Sequence, residues 1–106
     1  MSDASFSILG ICGSLRAGSY NLSLLRAAAE LLPAGVTLDI VTLGDVAPYN
    51  ADVQSQGDPA AVEDLKRLIV TADAVLIATP EYNYSIPGVL KNAIDWVSRP
   101  PKACGF

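Results

Sequence analysis

Two short stretches carry most of the side chains able to do chemistry. In residues 13–21, GSLRAGSYN, the hydroxyls of Ser14 and Ser19, the amide of Asn21 and the guanidinium of Arg16 crowd into one loop. Set beside the free N–H groups of a helix start, these donors suit an anion, and Arg16 adds a fixed fork for phosphate. Gly13 and Gly18 permit the tight turns. The loop is not a dinucleotide fingerprint, because Gly10, Cys12 and Gly13 do not reproduce G-x-G-x-x-G. Gly13 to Gly18 has the spacing of a Walker A loop, but Ser19 stands where that loop requires Lys. A monophosphate is the better match.

The second stretch, TPEYNYSIPGVLKNAIDWVS at 79–98, sets Pro80, Glu81, Tyr82, Asn83 and Tyr84 directly after an apolar strand. A plain turn needs only a brief Gly, Asn, Asp or Pro signal, so this density of polar and aromatic groups suggests a bound molecule. Each stretch also has a reading without a ligand. The first is then a Ser- and Gly-rich turn that caps a helix. The second is an exposed turn whose tyrosines cover apolar surface, with Glu81 solvated and Trp96 in the core.

The elements that position these loops follow from hydrophobic periodicity. Phe6 to Ile11 is a continuous apolar run that suits a strand buried on both faces. Leu22, Leu25, Ala29 and Leu32 fall at helical spacing from about Asn21 to Leu32, where Pro33 and Gly35 end the pattern. Val36, Leu38 and Ile40 alternate with Thr37 and Asp39 as a second strand. Residues 44–57, which include Tyr49, read as a long connection. Asp58 is expected as an N-cap with Pro59 at the first helical position, and Val62, Leu65, Leu68 and Ile69 as the inward face. Ala74 to Ala78 is the third strand. A last helix is expected to take Ser85 as cap and Pro87 in its first turn, burying Leu90, Ile94 and Val97.

This βαβαβα alternation predicts a parallel sheet with right-handed crossovers. Ligands of such sheets bind beyond the carboxyl ends of the strands, where strand order reverses. With order 2-1-3 the first and third strands are neighbours, and both loops face one crevice.

Composition bounds the function. The 106 residues are 51% hydrophobic, which fits one small domain with a core. A net charge of −4, with seven Lys and Arg scattered along the chain, offers no basic stripe for nucleic acid and no polybasic membrane patch. The N-terminus does not read as a secretory signal, and no segment is long and apolar enough to span a bilayer. Asn21-Leu22-Ser23 and Asn83-Tyr84-Ser85 match the glycosylation pattern by chance. Cys12 and Cys104 are too few for a disulfide framework, so the expected compartment is the cytosol. There is no His and no evident acid/base pair.

GSLRAGSYN followed by PEYNYSIPGVLKNAIDWVSRP resembles the NADPH-dependent FMN reductase family, flavodoxin-like quinone, chromate and azo reductases. The resemblance runs from about Phe6 to Pro100. It implies that Ser14, Arg16, Ser19 and Asn21 hold the FMN phosphate with Tyr20 beside them. It further implies that Pro80, Glu81, Tyr82 and Asn83 line the ribityl chain and ring edge, with Ser85 near. NADPH or NADH then gives hydride to FMN, which passes it to a quinone or similar small-molecule acceptor. The family fold has five strands in order 2-1-3-4-5. This sequence carries three, so one flavodoxin-like domain over residues 1–106, short at its C-terminus, is expected. The loop after the fourth strand also touches the ring in the resemblance, which keeps a second reading open: a non-catalytic module that binds phosphate or a partner chain. An open third strand predicts a homo-oligomer.

Overall fold

The computed structural model describes residues 5–106, the side chain of Ala103 excepted. Three parallel strands, β1 (Phe6–Cys12), β2 (Val36–Val41) and β3 (Ala74–Ala78), form one sheet in the order β2-β1-β3. Phe6 pairs in register with Val36, and Ile8 with Ala74. β1 is therefore the central strand, and its apolar run from Ile8 to Cys12 serves both faces.

Leu9 and Ile11 face helices α3 (Ala60–Thr71) and α4 (Gly88–Val97), where they pack with Leu43, Leu65, Ile69, Leu90 and Val97. On the other face Cys12 and Ala78 meet Leu25 of α1 (Tyr20–Glu30). Gly10 brings α1 close, because a Cβ there would lie 3.3 Å from Leu25 Cδ2. Burying a leucine or isoleucine side chain contributes about 1.5–3 kcal/mol, so these two clusters dominate the adhesion of helices to sheet.

Five expectations change. The first helix ends at Glu30 rather than Leu32. The connection between β2 and α3 is not without structure, since Asn50 caps a single turn, α2 (Ala51–Gln54), through its side chain and the Asp52 N–H. Asp58 does not cap α3. Pro59 occupies that position, and the Asp58 carboxylate instead pairs with Lys66 at 2.7 Å and accepts from Gln54 at 2.8 Å. Ser85 does not cap α4 either: Pro87 does, without a side-chain hydrogen bond, while Ser85 is paired to Tyr82. In the last helix Leu90 and Val97 are buried as expected, Ile94 is only partly so, and Trp96 joins the core at 1% exposure.

Trp96 anchors a clamp on the connection. Its indole N–H donates to the Ala47 carbonyl at 2.7 Å, and the Asn92 amide donates to the same oxygen at 2.9 Å. The Tyr49 N–H donates to Asn92 Oδ1 at 2.7 Å, the Tyr49 and Trp96 rings pack in a T-shape, and the Arg99 guanidinium lies over the Tyr49 ring. Asn92 and Trp96 lie one helical turn apart on one face of α4, which is why both reach the same loop.

Candidate functional site

The loops that follow β1 and β3 leave adjacent strands at their carboxyl ends, and they come together closely. The Gly13 N–H donates to the Ala78 carbonyl at 2.8 Å. A Cβ on Gly13 would lie 2.8 Å from Thr79 Oγ1 and 2.9 Å from Thr79 Cβ, closer than real side chains approach, so glycine is what lets the two loops meet.

The first loop is built around Ser19. Its hydroxyl, 4% exposed with its residue, accepts from the N–H groups of Asn21 at 3.1 Å and Leu22 at 3.4 Å and so caps α1. Ser14 Oγ accepts from the Arg16 N–H at 3.3 Å, and the Ser19 N–H donates to the Arg16 carbonyl at 3.0 Å. The N–H groups of Ser14, Leu15, Ala17, Gly18 and Tyr20 meet no acceptor among the described residues. Arg16 makes no ion pair there either. Several open donors and one unpaired guanidinium sit on a seven-residue loop, a donor set of the kind that holds anions.

The second loop is a tight hairpin. Tyr82 and Ser85 exchange two backbone hydrogen bonds, at 2.9 and 3.0 Å, and the two residues between them have positive φ, Asn83 at 52° and Tyr84 at 63°. That is a type I′ turn, in which Asn is tolerated first and glycine is favoured second. Glu81 holds the turn by accepting the Tyr84 N–H at 3.1 Å. The Tyr84 side chain touches almost nothing, at 97% exposure.

Between the loops lies an open hollow of about 350 Å³ lined by Gly13, Ser14, Leu15, Arg16, Tyr82, Pro87, Gly88 and Val89. Its volume falls within the range of small-molecule sites, about 300–1,000 Å³. Of the residues singled out in the sequence, Ser14, Arg16 and Tyr82 line it. Ser19 and Asn21 shape the helix start behind it, and Tyr20 projects outward at 85% exposure. Pro80, Glu81, Asn83 and Ser85 form the hairpin at its edge and do not line it. The sequence reading missed the walls made by Leu15, Pro87, Gly88 and Val89. Pro-Gly at the opening of a helix was the available signal, since glycine there leaves the backbone uncovered.

The family model for NADPH-dependent FMN reductase matches residues 6–105. The chain belongs to that family. Over 95 residues it is 54% identical to an NAD(P)H-dependent FMN reductase of Pseudomonas aeruginosa, covering 90% of this chain and 51% of that protein. It is 48% identical over 96 residues to a quinone reductase of Escherichia coli K12, covering 89% and 51%. Among solved structures it superposes with a TM-score of 0.86 and 38% identity on the flavoenzyme NAD(P)H:(acceptor) oxidoreductase of Paracoccus denitrificans, across 94% of this chain and 54% of that one. The fold is thus flavodoxin-like, in three strands of order 2-1-3, and the chain spans about half the length of the curated relatives it matches.

Proposed function

We propose that this chain, as a single flavodoxin-like domain over residues 1–106, binds FMN between the two loops and serves an NAD(P)H-dependent reduction of a quinone or similar small acceptor. The observation that carries the reading is the hollow itself, lined both by Ser14 and Arg16 and by Leu15, Tyr82, Pro87 and Val89. FMN needs both, a dianionic phosphate at one end and a planar apolar ring at the other.

Arg16, Ser14 and the open N–H groups of 14–20 would take the phosphate, with Ser19 and Asn21 holding the loop in shape and Tyr20 at its rim. Tyr82, with Leu15, Pro87 and Val89, would wall the ring, and Pro80, Glu81, Asn83 and Ser85 would fix the hairpin that presents Tyr82. When bound, FMN supplies the two-electron chemistry, taking hydride from NAD(P)H and passing it to the acceptor. The chain contributes position and exclusion of water rather than an acid or base. Two free cysteines, one of them buried, suit a reducing cytosol.

A module that holds FMN or a phosphate without turnover is the second reading. It needs only the two loops that meet at the hollow. Titration of the purified chain with FMN, followed by flavin absorbance, tests binding, and NADPH oxidation with a quinone present tests turnover. No saturable FMN binding sinks both the enzyme and the FMN carrier. Binding without oxidation leaves the carrier.

A further inference from the structure

A hollow of about 320 Å³ lies where the chain leaves the last turn of α4, lined by Tyr49, Ala51, Gln54, Arg99 and the pair Pro100 and Pro101. It shares no residue with the hollow between the two loops. We propose that it binds a small aromatic carboxylate, with Arg99 taking the carboxylate while Tyr49 and the two prolines take the ring. This site does not depend on the flavin reading.

The charge of the lining selects an anion. Arg99 is its one charged residue, and it makes no ion pair among the described residues. The guanidinium is nonetheless held in place, since it lies over the Tyr49 ring at 5.3 Å from the centroid, and the Arg99 carbonyl accepts from Lys66 Nζ and Gln54 Nε2, each at 2.7 Å. Tyr49 is fixed in turn. Its N–H donates to Asn92 Oδ1 and its hydroxyl to Gln54 Oε1 at 2.8 Å. A fork of donors set before binding loses less freedom when it closes on a carboxylate. Carbonyl oxygens at the end of a helix repel an anion, but those of Trp96, Val97 and Arg99 already accept from Gln54, the Gly105 N–H and Lys66. The Asp58 carboxylate at the same joint is paired with Lys66 and does not line the hollow.

The rest of the lining selects the ring. Both ends of the Gln54 amide are engaged, and Ala51, Pro100 and Pro101 are apolar. An inorganic anion would gain one ion pair at an exposed arginine, which is worth little in water. A flat ring adds apolar contact with Tyr49 and the prolines, in a volume within the small-molecule range of about 300–1,000 Å³.

The test uses benzoate, with benzamide as its uncharged counterpart and inorganic phosphate as an anion without a ring. Amide NMR of the purified 106-residue chain is expected to show saturable benzoate shifts at Ala51, Gln54 and Ser55 and at the Trp96 indole, which packs against Tyr49. Benzamide should bind more weakly by about tenfold or more, the scale of a hydrogen bond to a charged group, and phosphate should leave those signals in place. Arg99→Gln should bring benzoate down to the affinity of benzamide and leave benzamide unchanged, a pattern that a merely loosened wall would not give. Ser55→Glu, at an exposed position on the wall, is a second variant that keeps Arg99 and its contacts. It should weaken benzoate and spare benzamide, because it sets a second carboxylate beside the first. The same titrations with FMN present should give the same affinities, and failure of FMN to bind would remove the flavin reading and keep this site. Absence of saturable shifts at 51–55, equal affinity for benzoate and benzamide, phosphate binding there as tightly as benzoate, or benzoate shifts confined to 13–21 would overturn the proposal.

Discussion

At the scale of single residues, Arg16 is the sharpest test, as the lone cation of a loop rich in open donors. Replacing it with Ala is expected to weaken FMN by about 1.5–3 kcal/mol, the scale of a hydrogen bond to a charged group. The fold should be untouched, because the side chain is exposed and unpaired among the described residues. Isothermal titration of both forms checks this, and equal affinities would remove Arg16 from the site. Tyr84 makes the opposite kind of prediction. It occupies a left-handed conformation with its ring in solvent, so the protein carries backbone strain there without a packing return. Tyr84→Gly should stabilise the chain by up to about 1 kcal/mol, the relief of strain exceeding the added flexibility of the unfolded state. A lower melting temperature would mean that the ring packs against something.

Among elements, the joint between α2, α3 and the end of α4 depends on one carboxylate. Burial pushes the Asp58 carboxyl upward, but hydrogen bonds from Lys66 and Gln54 and the Lys66 charge outweigh it and hold its pKa below the ordinary value. A depressed carboxylate contributes its stability above the unfolded pKa, about 3.9, and loses it as pH falls through the lower folded value. Asp58→Asn should therefore lower stability by about 1–2 kcal/mol near neutrality. Thermal melts from pH 7 downward should show that deficit holding to about pH 5 and closing below about pH 4. A deficit that does not depend on pH would assign Asp58 a packing role only.

This joint also marks the limit of what the sequence disclosed. Strands, their order and the inward faces of α3 and α4 were legible because apolar spacing states which side of each element is covered. The role of Asp58 was not, because its partners depend on how α3 docks against α2, and Gln54 also reaches Arg99, 45 positions along the chain. Nor was the clamp through Tyr49, a residue that looks like an idle loop tyrosine until Asn92 and Trp96 are brought beside it. In the site, the donors of the first loop were legible by type. The hairpin at 82–85 was not, because Asn-Tyr lacks the glycine that usually announces a type I′ turn.

For the whole molecule, the β3 edge of the 106-residue chain is proposed as an association site. Among the described residues β3 pairs only with β1, and Leu76 and Ile77 are 41% and 39% exposed on its opposite faces. The strand, AVLIA, has no charge or proline to discourage pairing. Light scattering on the 106-residue chain should show association that grows with concentration, and Leu76→Lys should reduce it. A compact monomer at all concentrations would contradict this.

The contact between Gly13 and Thr79 gives the site a gauge. Neighbouring strands in a sheet are spaced by their hydrogen bonds at about 4.8 Å, and with no side chain between them the two loops inherit that spacing at their roots. The width of the cleft is then a property of the backbone, which side-chain changes farther out along either loop leave unaltered. A single methyl at position 13 acts as a shim. Gly13→Ala is expected to pry the 13–19 loop away from the loop after β3, without removing any side chain proposed to touch FMN. Its signature would be a loss of FMN affinity with phosphate-only binding retained.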